Sequence, residues 1–502
     1  MEQKAITAEQ MRHYDSFTIN TIGVPSLVLM ERAALKTVEV MEECGIDTSK
    51  ALIVCGSGNN GGDGFAIARL LLENGKHPKI FFAGKEASLS AECRIQKKIA
   101  GNLGIEIITE NPEGEYTVII DAIFGVGLSR EVSGKYADII SWMNEQHCRK
   151  VAVDIPSGVS SATGKILGTA FHAELTVAMA CVKVGCELYP GKIYAGKTVP
   201  VPIGIDTDRF SEDEEVCMTY DRTDIPQLLP ERKADSHKGN YGKVLMITGS
   251  SGMAGAACLS AKAAYTAGAG LVRIYTAEEN RNVLQQLLPE AIISCYGRYN
   301  ESELSGLLNW ADIVCIGCGL GMSDTSEQIL EAVLRQVRVP CIIDADGLNL
   351  LSRHIDLLDR IQAPAILTPH MKEMSRLTGY TVSEISERRL EIIEEFTEKY
   401  PVVCVMKDSR TIVKERGRHS FVNLAGNSAM AKAGAGDVLA GVITGLVAQG
   451  MNTYEGALLG VFLHACGGDE ARRLKGDYSV LARDLIDGVG KSMDISGQCS
   501  DR

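Results

Sequence analysis

A chain of 502 residues exceeds what one hydrophobic core usually spans, so two domains are the first expectation. A net charge of −13, with no basic face legible in the pattern, excludes a nucleic-acid partner, because binding a phosphate backbone needs clustered Lys and Arg. The apolar content of 45% suits globular cores, and no uninterrupted apolar stretch reaches membrane length. The 15 cysteines sit mostly inside apolar runs, and MEQKAITAEQMRHYD lacks a signal-peptide core, so a reduced, cytoplasmic setting is expected.

Thr7 with Gln10 forms a capping box that opens a first helix, and Pro25 with Ser26 opens a second. From ALIVC (51–55) onward, short apolar runs alternate with amphipathic segments: HPKIFFAG, IEIIT, YTVIID, KVAVDIPSG, LTVAMA and KTVPVPIGI. Continuous hydrophobicity implies strands covered on both faces, hence a mostly parallel sheet between helices. The rhythm breaks in the acidic, proline-bearing stretch around Glu215, which predicts domains over 1–215 and 216–502. A second series follows, with strands in GKVLMITGS, LVRIYT, ADIVCIGC, PCIID, APAILT and VVCVMK, and three helices at the end.

GSGNNGGDGF (56–65) follows the first buried run and precedes a helix expected to end at Gly75. A strand, a glycine loop and a helix together point backbone N–H groups at a ligand above the strand. Ligands in parallel sheets bind beyond the carboxyl ends of strands. Three polar clusters fall there: Asn59, Asn60 and Asp63; Asp121 with FGVGLSR; and Asp154 with Ser157. Their oxygens are hard ligands, suited to an alkali or alkaline-earth cation. Asp154 ends an apolar run, where desolvation favours acid–base work. Taken singly, Asn59 and Asn60 also suit plain turn chemistry, Asp63 a helix cap, and Asp121 and Asp154 strand-end caps.

In the second half, GNSAMAKAGAGD (426–437) places small residues where a helix begins. The amides of Ala435 and Gly436 are expected to face an anion beside the Asp437 carboxylate, an arrangement suited to phosphoryl transfer. A bare GxGD also reads as a helix that opens with an aspartate. No P-loop pattern G-x-x-x-x-G-K-[ST] occurs. Cys315 and Cys318 form a C-x-x-C, but no second pair stands at ligand spacing, so core cysteines are expected rather than a zinc site.

Residues 1–215 resemble the NAD(P)H-hydrate epimerase family through GSGNNGGDGFAIARLL, DAIFGVGLSR, VAVDIPSGV and the helix containing LMERAA. The resemblance implies a Rossmann-like three-layer αβα domain. It further implies that Asn59, Asn60, Gly61, Gly62 and Asp63 cradle the damaged dinucleotide together with Gly125, Val126, Gly127, Leu128, Ser129, Arg130 and Glu131. Asn60, Asp121 and Ser157 would hold a potassium ion, and Asp154 would meet the reacting ring.

Residues 225–495 resemble the ribokinase-like fold, and more narrowly the NAD(P)H-hydrate dehydratase family. The matching motifs are HKGNYGKVLMITGS, GMAGAACLSAKAAYTAGAGLV, IGCGLG, DADGLNLL, LTPHMKEMSRL and GNSAMAKAGAGDVLAG. By that likeness Ala256, Gly319, His370 and Asp437 face the hydrated nucleotide. Lys407, Asp408, Ser409, Arg410 and Thr411 would hold the phosphate donor. The run Asn427, Ser428, Ala429, Met430 and Ala431, continued by Lys432, Ala433, Gly434, Ala435 and Gly436, would join them. His370 also reads as a polar strand-end residue. The chain departs from the family pattern at Cys318, Met371, Lys372, Ala429, Ala433 and Ala435.

Together the two resemblances imply a bifunctional repair enzyme for NADHX and NADPHX, with K+ in one domain and Mg2+ and ADP in the other. A homo-oligomer is expected. The rivals are a ribokinase-like vitamin or sugar kinase, and a first half that binds nucleotide without catalysis.

Overall fold

The computed structural model describes residues 3–110, 112–207 and 216–494. They fall into two compact units, Lys4–Cys217 and a second from Met218 onward. The boundary expected near Glu215 lies outside the described residues.

In the first unit the strands are β1 (Gln3–Ile6), β2 (Ala51–Cys55), β3 (Lys79–Phe82), β4 (Glu106–Ile108), β5 (Val118–Ala122), β6 (Arg149–Val153), β7 (Leu175–Met179), β8 (Val182–Lys183) and β9 (Lys197–Val201). Seven of them pair in the order β4-β3-β2-β5-β6-β7-β9, and every neighbour is parallel. All five residues of β2, β5 and β7 are buried, as strands covered on both faces require. The strand order reverses between β2 and β5, which opens a crevice at their carboxyl ends.

The helix after β2, Asn59–Glu73, stops in a Schellman motif: Lys76 N–H reaches the Leu71 carbonyl and Gly75 N–H the Leu72 carbonyl. It buries Phe65 completely, a side chain whose truncation to Ala costs about 3–5 kcal/mol. Thr7 caps Ala8–Phe17 with the expected box. The strand before it, β1, was not legible as a strand; it pairs in parallel with β8, Ala5 opposite Val182 and Ile6 opposite Lys183.

The second unit carries β10 (Cys217–Thr219), β11 (Lys243–Ile247), β12 (Leu271–Ala277), β13 (Ile292–Tyr296), β14 (Ile313–Ile316), β15 (Cys341–Ile343), β16 (Ala365–Leu367), β17 (Val402–Met406), β18 (Ile412–Lys414) and β19 (Phe421–Val422). The order β13-β12-β11-β14-β15-β16-β17-β18-β19 is parallel up to β17, then antiparallel through β18 and β19. Three helices close the unit: Ala435–Ala448, Thr453–Lys475 and Ala482–Ser492. Among the described residues no helix is long and apolar enough to cross a membrane.

Candidate active sites

The crevice of the first unit is a cavity of about 760 Å³. Asn59, Asn60, Asp63, Gly125, Val126, Gly127, Leu128, Ser129, Arg130 and Asp154 line it, as the sequence pattern places them. Three expected residues fall outside the lining. Gly61 and Gly62 are buried within the helix, and Glu131 is exposed beyond the loop. The reason is that Asn59–Asp63 is the first helical turn and not the loop ahead of it. Gly58 is the cap and brings no side-chain bond, so Asp63 is free of the capping role.

Asp121 is wholly buried at the end of β5. Its Oδ1 accepts from Ser157 Oγ at 2.7 Å and Ile123 N at 3.1 Å, and its Oδ2 from Ser157 N at 2.7 Å. Burial pushes its carboxyl up to about 6 against the pull of those bonds. Ser157 Oγ also accepts from Phe124 N at 2.9 Å. Gly125, the next residue, lies against the Asn60 side chain, whose buried Nδ2 has no partner among the described residues. Asn60, Asp121 and Ser157 thus converge on one loop.

Asp154 has φ +69°, a left-handed conformation that costs a non-glycine residue about 1 kcal/mol. Its Oδ1 accepts from Met179 N at 3.0 Å and from the Lys183 ammonium, itself fully buried and donating also to the Met179 carbonyl at 2.7 Å. The expected lone, desolvated aspartate is therefore an ion pair. Lys183 escaped the sequence reading because it sits inside the apolar run AMACVKVGC. So did Met11, Arg12 and Asp15 of the first helix, which line the cavity. Burial and the nearby Asp154 charge push both Asp15 and Asp63 up, Asp63 strongly.

In the second unit the loops at the strand ends interlock. Gly249 N donates to the Cys318 carbonyl at 3.0 Å and Ser250 N to the Gly319 carbonyl at 2.6 Å, tying the loop after β11 to the loop after β14. Gly321 N donates to Asp346 Oδ2 at 2.8 Å. Asp344, at the end of β15, takes Lys407 Nζ at 2.5 Å and Thr368 Oγ1 at 2.6 Å on Oδ1, with Cys318 Sγ 3.6 Å from Oδ2. Ala256 and Gly319 touch, and His370 bridges to Lys407 in the strand direction.

Asp437 joins this group from the first turn of Ala435–Ala448. Its carboxylate, the Asp344 carboxylate and Cys318 Sγ lie within 4.8 Å of one another. Burial first, then the Asp344 charge, push Asp437 up to about 6. Burial alone pulls Lys407 down, but the Asp344 and Glu373 charges outweigh it and raise it.

Gly434 caps the helix with φ +90° and no side-chain bond. Ala435 N donates to the Lys432 carbonyl at 3.3 Å, so its amide is not free as expected. The Gly436 and Asp437 amides have no acceptor among the described residues and remain for an anion. None of Ala429, Ala433 and Ala435 has a positive φ. Alanine at these positions therefore carries no backbone strain.

Other expected donor residues serve the scaffold. Asn427 Nδ2 donates to Asp469 at 2.8 Å, Lys432 Nζ to the Tyr478 carbonyl at 3.2 Å and Arg410 to the Leu424 carbonyl at 2.8 Å. Asp408 pairs with Arg389 at 3.1 Å. Ser428–Met430 form one short helical turn, and Ala431 is exposed. Ser409 and Thr411 lie in the turn between β17 and β18. His370 takes the strand-end role: its Nδ1 accepts from Lys372 N at 3.0 Å and Glu373 N at 3.2 Å and caps Met371–Thr378. Met371 and Lys372 supply the first turn of that helix, where an N–H at 372 is needed.

This fold and these sites define a class: a protein of two doubly wound α/β units, the second ribokinase-like. Residues 26–185 match the family described as YjeF-related protein N-terminus, and 244–490 the family described as NAD(P)H-hydrate dehydratase. A bifunctional NAD(P)H-hydrate repair enzyme of Moorella thermoacetica is 34% identical, covering 96% of this chain and 95% of its own. A Streptococcus mutans structure described as hypothetical is 29% identical over 55% of this chain and 100% of its own, with a TM-score of 0.50. An ADP/ATP-dependent NAD(P)H-hydrate dehydratase of Bacillus subtilis, crystallised with ATP and Mg2+, is 31% identical over 55% of this chain and 96% of its own, with a TM-score of 0.48. This chain belongs to the family of bifunctional NAD(P)H-hydrate repair enzymes.

Proposed function

We propose that the first unit interconverts the R and S hydrates of NADH and NADPH, and that the second dehydrates the S form at the expense of ADP, releasing AMP and phosphate. The supporting observation is the Asp437 carboxylate beside two free amides at a helix start, within a unit that matches the dehydratase family. A kinase reading would share the helix start but not the family match.

In the second unit Asp437 takes the proton of the hydrate's hydroxyl as that oxygen attacks the terminal phosphorus of the donor. The Gly436 and Asp437 amides and Lys407 receive the charge that builds on the phosphoryl oxygens. Phosphate then leaves with the C–O bonding pair, and loss of a proton from the neighbouring ring carbon restores the double bond. The Asp344 and Asp437 carboxylates, within 4.8 Å of one another, are hard donors that would fit a Mg2+ ion, which would supply positive charge against the donor phosphates. Cys318 is the one soft atom among them.

In the first unit, Asn60, Asp121 and Ser157 fit a potassium ion. The Asn60 side-chain oxygen, the buried Asp121 carboxylate and the Ser157 hydroxyl are the hard oxygen donors that would hold a monovalent cation. The ion would supply positive charge behind the loop Gly125–Arg130, whose amides and side chains orient the dinucleotide in the cavity. Asp154 then faces the carbon bearing the hydroxyl and moves the proton that inversion requires.

The described cysteines are all free, which supports a cytoplasmic setting. Self-association belongs to the same reading and is checked by light scattering. The deciding experiment supplies a mixed-epimer hydrate with ADP or ATP and follows recovery of the reduced nicotinamide alongside AMP and phosphate. Complete consumption with free phosphate supports both activities. A stable phosphorylated product overturns the dehydratase, and a halt once the S form is spent overturns the epimerase.

A further inference from the structure

We infer that Lys183 is a positioning residue of the first site: its buried ammonium fixes the Asp154 carboxylate in the cavity wall with one oxygen turned toward the substrate. This rests on the epimerase reading above. Lys183 is fully buried, and its ammonium contacts two acceptors, Asp154 Oδ1 and the Met179 carbonyl. Met179 N holds the same Oδ1 at 3.0 Å. Both donors therefore act on one oxygen, while Oδ2 receives no hydrogen bond from the described residues. Asp154 lines the cavity and Lys183 does not, so the ammonium works from behind the wall and never meets the ligand.

The backbone reinforces this arrangement. Asp154 N is bonded to the Val177 carbonyl at 2.8 Å, and the residue holds a left-handed conformation, φ +69°. Lys183 is held at the end of β8 by the pairing of that strand with β1, Ile6 opposite Lys183. The two-residue strand thus delivers an ammonium to the Asp154 carboxylate. Asp15 and Asp63 share the cavity with Asp154 and make no ion pair among the described residues; burial favours a proton on each, against the Lys183 charge at Asp15. Within one cavity the fold thus separates an ion-paired carboxylate from two that favour protonation, the division of labour expected of a base and its acids.

The groups that bear on this carboxylate are Asp15 and Asp63 across the cavity, Arg12 and Glu92 on neighbouring helices, and Cys181 and Cys186 beside Lys183. The test uses the full chain and purified (R)-NADHX without any phosphate donor, so that only epimerisation proceeds. Lys183→Met should slow equilibration about 100-fold with KM changed less than about threefold, and Lys183→Arg should recover part of that loss. The melting temperature of Lys183→Met should fall more at pH 7 than at pH 5, and adding Asp154→Asn should restore stability but not activity.

A Lys183→Met protein with the wild-type rate overturns the inference. So does a loss of stability equal at both pH values and unrelieved by Asp154→Asn, which remains readable even if the single variant is too unstable to assay. Wild-type chain that fails to equilibrate the epimers overturns the epimerase reading itself and is distinguishable from either result.

Discussion

The two sites hold their key carboxylates in opposite ways. Asp154 is tied directly to a buried ammonium, Lys183. Asp437 has no such cation: the nearby Lys407 is bonded to Asp344, and Asp437 is left with burial and the Asp344 charge, which push it up to about 6. A carboxylate bonded to a buried cation is held in one geometry. One held near 6 can take and return a proton close to neutrality, which suits a base that must deprotonate a hydroxyl.

The sharpest way to break this comparison is to neutralise the second carboxylate. Asp437→Asn should cost dehydration about 10³-fold, measured as recovery of reduced nicotinamide, while donor-free epimerisation stays unchanged. Lys407→Met leaves Asp344 buried without its cation and should destabilise the second unit by about 3–5 kcal/mol in denaturant titration.

The elevated Asp437 gives a pH signature of fixed sign. Dehydration should decline as pH falls through about 6, because the base becomes protonated. Its effect on stability runs the other way. A carboxyl raised from 3.8 to about 6 in the folded chain contributes stability that is complete below the unfolded value and lost as pH rises through about 6. Asp437→Asn should therefore be more stable than wild type above pH 6, with the advantage gone near pH 4, as read from melting temperatures across that range.

Ser157→Ala removes a donor to buried Asp121 and should cost about 1–3 kcal/mol, and any dependence of epimerisation on K+ should weaken with it. The smallest effect is expected at Ala435→Gly. The position has ordinary helical backbone, so glycine there should leave donor KM within about twofold while costing up to about 1 kcal/mol of helix stability.

Much of this was legible because strand ends collect polar residues against apolar runs. Asn60, Asp63, Asp121, Asp154 and Ser157 all follow or end such runs, and the parallel order of β2, β5 and β6 brings them together. What escaped was set by tertiary contacts. Lys183 looked like an interruption of a hydrophobic segment until β8 placed it behind Asp154. Asp15 lies on the first helix, remote in sequence from the glycine loop whose cavity it enters. The strands β1, β8 and β19 span only two to four residues each, too short for any periodicity to register. At Ala435 local backbone bonding takes the amide that the motif left free, so the amides without an acceptor among the described residues lie one residue along, at Gly436 and Asp437.

The cavity of the first unit has a practical corollary for anyone wishing to retune it. A Cβ at Gly56 would lie 2.0 Å from the Ile123 carbonyl oxygen, so the loops after β2 and β5 pack this closely only with glycine there. Substitutions meant to change what the cavity accepts belong at Val126, Leu128 and Ser129, which line it away from that contact.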